Sequence, residues 1–231
     1  MRPFVRHFVA EFVGIFALVF VGGGAIMMAA RTNPPGSLLA IALAHGLILA
    51  LMVSATMNVS GGHLNPAVTL GFLVARRITP VMAAVHVAAQ LVGAVFGALA
   101  LKWFMPAELF NATRAGGQSV ALDVAMSQAI GLEVVAAFFL MFVIYGTAVN
   151  DVAPKLGGMA IGLTIAADIL AIGPLTGASM NPARSFGPAL VTGLWEGQIV
   201  YWAGPIIGMI VGALVWEFVL LRREPAVPRD S

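Results

Sequence analysis

The sequence predicts an all-α membrane protein: six transmembrane helices and two half-length helices, arranged as an inverted repeat. Three observations carry this. The 231 residues are 60% hydrophobic and 10% charged, with mean hydropathy +0.98, against about 25% charge in a soluble domain. Six apolar segments approach the roughly 20 residues that a bilayer span needs. Two stretches, Ser60-Gly61-Gly62-His63-Leu64-Asn65-Pro66-Ala67 and Gly177-Ala178-Ser179-Met180-Asn181-Pro182-Ala183-Arg184, end alike and sit between spans.

The six segments run roughly Phe4–Ala30, Leu38–Val59, Pro80–Phe104, Met126–Val149, Gly157–Pro174 and Ile199–Leu221. In lipid the backbone must satisfy its own hydrogen bonds, so each segment is a helix. The alternation of a membrane barrel is absent. Arg2 and Arg6 precede the first run, and Met28-Ala29-Ala30 is loosely cleavage-like. The run is too long for a signal core and has a counterpart later in the chain, so it reads as a retained helix. Each Asn-Pro-Ala triplet reads as a helix start. Asn caps a free N–H, and Pro suits the first helical position because it lacks one. The first of these helices can extend only from Pro66 to about Ala75, before Arg76-Arg77 and Pro80, so it goes part way through a bilayer.

The halves repeat. Glu11 and Glu133 open the first and fourth helices at an offset of 122 residues; the triplets are 116 apart, and Gly93 and Gly208 are 115 apart. The chain is one domain, 1–231, with repeats near 1–110 and 120–231. Three spans per half is odd, so the second half is inverted. Broken helices from inverted repeats meet at the midplane in transporters. Basic residues set the orientation: Arg2, Arg6, Arg76, Arg77, Lys155, Arg222, Arg223 and Arg229 fall on one side, which puts both termini in the cytoplasm. A bacterial inner membrane is the expected location. The outer connection Met105–Ala125 is read as a loop, and its sequon Asn111-Ala112-Thr113 as unmodified.

Composition excludes much. With no cysteine, disulfides and thiolate metal sites are ruled out. His7, His45, His63 and His86 show no metal-ligand spacing, and no cofactor is called for. A net charge of +2 with scattered basic residues gives no nucleic-acid face.

Two half-helix N-termini meeting at the membrane centre each carry about half a positive charge. They oppose cations and protons while tolerating a neutral polar molecule. Asn65 and Asn181 offer amide N–H groups to such a molecule. A water that gives both lone pairs to them cannot relay a proton. Arg184 lies about one turn outward and reads as a second positive barrier lining the path, because intramembrane charge faces water or the interior. Glu11 and Glu133 read as acceptors for loop N–H groups behind the half-helices, with proton carriage the competing reading. His63 is expected to present the Gly61 and Gly62 carbonyls to the path. His45 reads as lining, His86 as packing, and His7 as an entrance or surface residue. Asp168 has no assigned role; a bond to loop backbone is one reading.

These residues together resemble the aquaporin family over nearly the whole chain: both triplets, the Ser60-Gly61-Gly62-His63 lead-in, Arg184 and the paired glutamates. The resemblance implies a right-handed bundle of six helices plus two half-helices, a homotetramer with one pore per subunit, and the lipid bilayer, water and small neutral solutes as partners. Glycerol facilitators of the family usually carry Asp after the Arg and a basic residue four further on. Here Ser185 and Ala189 stand there, and Tyr201-Trp202 is water-channel-like. The outer selectivity filter maps to His45, Ile169, Ala178 and Arg184, and lacks the Phe and the helix-five His of strict water channels. The loss of Phe should widen the opening, and His45 is expected to supply a donor opposite Ile169. This set is similar to that of plant tonoplast intrinsic proteins, which pass ammonia with water. Gln118 stands where some of them place an outer-loop His. Gly61, Gly62, His63, Gly177 and Ser179 then support the pore loops, with Glu11 and Glu133. The expected function is a passive channel for water and ammonia, not an enzyme. A glycerol or urea facilitator and a proton-coupled transporter using Glu11 or Glu133 remain the alternatives.

Overall fold

The structure is a computed structural model that describes residues 3–33, 36–150, 152 and 156–221. Arg2, Lys155, Arg222, Arg223 and Arg229, used above for orientation, lie outside the described residues. All regular structure among the described residues is helical: α1 Pro3–Thr32, α2 Ser37–Ser60, α3 Pro66–Val74, α4 Pro80–Phe104, α5 Ala107–Ala112, α6 Met126–Ile144, α7 Gly158–Thr176, α8 Pro182–Thr192 and α9 Gln198–Val215. Helices α6 and α9 each end in one wider, π-helical turn, Tyr145–Val149 and Trp216–Leu220. Among the described residues, six helices, including those two extensions, are long and apolar enough to cross a membrane. The outer connection is not an open loop. It holds α5 and a tight turn at Arg114–Gly116, and Phe110 of α5 is buried against Met27 and Leu101.

The packing repeats with the sequence. Helix α1 lies against α4 as α6 lies against α9, and α2 crosses α7 between the halves. Half-helix α3 packs on α9 of the other repeat, while α8 packs on α4. Backbone proximity explains the repeated glycines. A methyl on Gly93 would stand 2.5 Å from the Phe12 carbonyl oxygen, and one on Gly208 would stand 2.2 Å from that of Val134. At the α2–α7 crossing a methyl on Gly162 would meet the Gly46 oxygen at 2.1 Å. Close approach of this kind replaces the hydrophobic drive that lipid removes. Large apolar side chains such as Leu51, Val81 and Phe104 lie exposed on the outer surface, as a protein solvated by hydrocarbon requires.

Candidate functional site

The half-helices start as their sequences dictate. Asn65 is extended (φ −160°, ψ 120°), and its side-chain oxygen accepts from the Ala67 N–H at 2.9 Å. Asn181 is extended likewise and accepts from Ala183 N–H at 3.0 Å and Arg184 N–H at 3.3 Å. Pro66 and Pro182 follow at the first helical position. The two ends then tie together. Asn65 Nδ2 donates to the Met180 carbonyl at 2.8 Å, and Asn181 Nδ2 donates to the Leu64 carbonyl at 2.9 Å. An amide has two N–H groups, so one on each remains for the cavity that both residues line.

The lead-in loops need unusual backbone. Gly61, Gly62 and Gly177 have φ of 90°, 61° and 81°; Leu64, Ala178 and Met180 also have positive φ, at 49°, 44° and 50°. For a bulky residue that conformation costs about 1–2 kcal/mol. Two carboxylates hold it. Glu11 accepts from Leu64 N–H (2.6 Å), His63 N–H (3.0 Å), Ser60 Oγ (2.6 Å) and Gln90 Nε2 (2.7 Å). Glu133 accepts from Met180 N–H (2.7 Å), Ser179 N–H (2.8 Å) and Thr176 Oγ1 (2.9 Å). Ser179 Oγ donates to the Asn181 carbonyl at 2.9 Å and lies 2.5 Å from Ser185 Oγ.

A narrow cavity of about 30 Å³ runs past Asn65 and Asn181, with His45, Ile169, Ala178 and Arg184 in its wall. At roughly 10–15 Å³ per water centre it holds about two waters. Ile169 and Arg184 also line a second space of about 280 Å³, so these two residues border both. The Arg184 guanidinium is fixed from three sides. It donates to the Ala178 carbonyl (3.3 Å) and less closely to that of Gly177 (3.5 Å), and Nη2 contacts His45 Nε2 at 2.9 Å. With its amide turned to satisfy both ends, Gln118 accepts from Nη1 and Nη2 of Arg184 and donates to Ser185 Oγ at 2.7 Å.

The expectation for His45 is corrected. Its Nδ1 lies 2.8 Å from the Ile41 carbonyl, which only accepts, so Nδ1 carries the hydrogen. Nε2 must then accept from Arg184, and no ring N–H is left for the cavity. His63 lines the cavity, and its ring reaches Thr69 Oγ1 (3.1 Å) and His86 Nδ1 (3.3 Å). One other histidine differs from expectation. His86, read as packing, is a link: its Nε2 meets His7 Nδ1 at 3.0 Å. The three imidazoles form a chain from half-buried His7 on α1 to the cavity wall. No sequence spacing pointed to this chain, because its members come from α1, α4 and the α2–α3 loop. The His63 ring stacks on Phe72 at 4.7 Å, and Phe72 stacks on Tyr145 at 5.4 Å. No bond from loop backbone to Asp168 Oδ2 is found; that oxygen is buried without a partner among the described residues. Nor do the described residues contain a three-ligand metal cluster.

Six spans and two capped half-helices whose N-termini share one cavity define a membrane channel protein. The chain belongs to the major intrinsic protein family, whose model matches residues 1–216. It is 43% identical to aquaporin TIP4-4 of Zea mays, over 98% of this chain and 92% of that one. It is 40% identical to the probable aquaporin TIP3-2 of Arabidopsis thaliana, over 98% and 88%. Among solved structures, the aquaglyceroporin from Plasmodium falciparum matches with a TM-score of 0.80 at 24% identity, over 94% of this chain and 96% of that one; at that identity the likeness is one of fold. These relatives are plant and protozoan proteins, and nothing in them supports the bacterial inner membrane expected above.

Proposed function

We propose that the protein is a passive channel for water and ammonia that excludes protons and other ions. One observation carries the reading: two half-helix N-termini face one cavity, and each keeps a single asparagine N–H there. A water or ammonia molecule at that point is oriented by two donors inside a positive field. Chains of waters relay protons only when each can accept as well as donate, and this geometry takes away the acceptor role. Arg184 adds a full positive charge at the narrow point.

The filter supports the second solute. Ile169 and Ala178 offer apolar, small walls, and the neutral His45 ring accepts from Arg184 rather than blocking the path with a donor. A cavity with room for about two waters suits small molecules such as water and ammonia. The full set of site residues, from Glu11 and Glu133 through Gly61, Gly62, His63, Gly177 and Ser179, serves in this reading to shape the loops. Assembly as a homotetramer belongs to the same proposal; native mass spectrometry of the detergent-purified protein is to show four subunits.

Purified protein in proteoliposomes tests the function. Stopped-flow light scattering is expected to show fast shrinkage with a low activation energy, and an internal pH dye is expected to show ammonia entry faster than in empty vesicles. Water flux at the empty-vesicle rate sinks the channel reading. Ammonia flux at that rate sinks only the ammonia part.

A further inference from the structure

We propose that Gly22, on α1 and never itself in the path, is a positioning residue of the filter. Its missing side chain is the space that lets His45 stand back from the lumen and reach Arg184. This rests on the water-and-ammonia reading above and adds a fifth position to the filter.

The geometry is specific. Gly22 lies one turn from Leu18, which lines the cavity. A methyl built on Gly22 would stand 2.4 Å from His45 Nε2, 2.5 Å from Cδ2 and 2.9 Å from Cε1. All three nearest atoms belong to the imidazole and none to backbone. At Gly93, Gly162 and Gly208 the methyl meets a carbonyl oxygen instead, so those glycines serve helix packing. A ring on two rotatable bonds gives way more easily than a helix. To regain ordinary contact it must retreat by about 1 Å, and the open side is the cavity. Retreat narrows the lumen and pulls Nε2 off the Arg184 guanidinium, now at 2.9 Å.

The inverted repeat supplies a second, independent observation. The 122-residue offset that relates Glu11 to Glu133 relates Gly22 to Ile144, and the offset that relates Gly46 to Gly162 relates His45 to Ile161. Where α2 carries the ring, α1 carries glycine. Where α7 carries isoleucine, α6 carries isoleucine too, and both Ile144 and Ile161 line the cavity. The second repeat thus holds two isoleucines where the first sets a glycine beside a ring.

The test compares wild type, Gly22→Ala, His45→Val and Gly22→Ala/His45→Val in proteoliposomes, by water flux and ammonia flux. Gly22→Ala is expected to cut water permeability by roughly fivefold, since conductance follows the width of the narrowest ring, and to change the ammonia-to-water ratio. In the His45→Val background the same substitution is expected to change neither flux. Unchanged fluxes in Gly22→Ala overturn the proposal. So does an equal loss in both backgrounds, which would mark a packing defect. If Gly22→Ala fails to fold and the double variant folds, the coupling stands; if both fail, it falls. The ¹⁵N resonances of His45 in labelled protein report the Arg184 bond directly and are expected to shift in Gly22→Ala. That signal separates the two claims: wild-type flux at the empty-vesicle rate removes the channel reading, whereas an unshifted His45 signal removes the role of Gly22.

Discussion

Leu64 and Met180 show how much of this molecule is decided one residue at a time. Both hold a left-handed backbone that side chains disfavour, and both are fully buried. The N–H of each ends on a glutamate carboxylate. Glutamine at position 133 keeps the shape, yet it replaces one accepting oxygen with a donor that faces donors. Glu133→Gln is therefore expected to cost about 2–4 kcal/mol of stability, read as a lowered midpoint of thermal unfolding in detergent. Flux through whatever protein folds should remain passive; solute accumulation lost in this variant would favour a transporter instead. Gln118 acts on the other side of the same site. It is one of three groups that hold Arg184, and it lies in a loop outside the helices. Gln118→Ala is expected to alter water permeability severalfold while thermal stability stays within about 1 kcal/mol.

At the scale of elements, the long helices were legible because bilayer length, apolar composition and proline or glycine punctuation all mark the same boundaries. The half-helices were legible because asparagine and proline each have one structural reason to stand where they do. What escaped were the contacts between distant elements that no repeat or motif marked. The histidine chain joins residues 7, 86 and 63, and nothing local distinguishes His86 from a packed core residue. The proton assignment on His45 escaped too, since it depends on which carbonyl and which guanidinium the fold brings to the ring. The amphipathic signal of α5 was too short to separate from loop. The chain of imidazoles has a mechanical reading that mutation checks: it straps α1 and α4 to the lead-in loop. His86→Phe removes two bonds and leaves His63 partly unpartnered, and is expected to lower stability by about 1–3 kcal/mol, with the same thermal assay as readout. The glycine crossings are less forgiving. Gly162→Val places side-chain atoms against the Gly46 carbonyl, already 2.1 Å from a single methyl, and is expected to prevent recovery of folded protein from the membrane fraction.

The whole molecule is a two-fold object built from one chain, and its chemistry is spare. Without a cysteine there is no thiol for a mercurial to modify. Water flux in proteoliposomes is accordingly expected to be unchanged by micromolar mercuric chloride, and inhibition reversed by a thiol reductant would contradict the cavity wall described here. The family was readable before the fold was known because its signals lie in short contiguous stretches. The solute was less so: width, donor count and charge at a filter are set jointly by four helices and a loop, and single-sequence spacing carries none of those distances.

The reciprocal bonds between the two asparagines and the opposite loops also bear on how the protein is made. Asn65 waits for a carbonyl 115 residues downstream, and Leu64 waits for an amide 117 residues away. A ribosome threading this chain into lipid thus delivers a first half whose re-entrant turn is incomplete until the last third is synthesised. Such long-range closure is slow. The nascent first half must shelter an unfinished polar loop at membrane depth in the meantime, a task for the insertion machinery or for transient water.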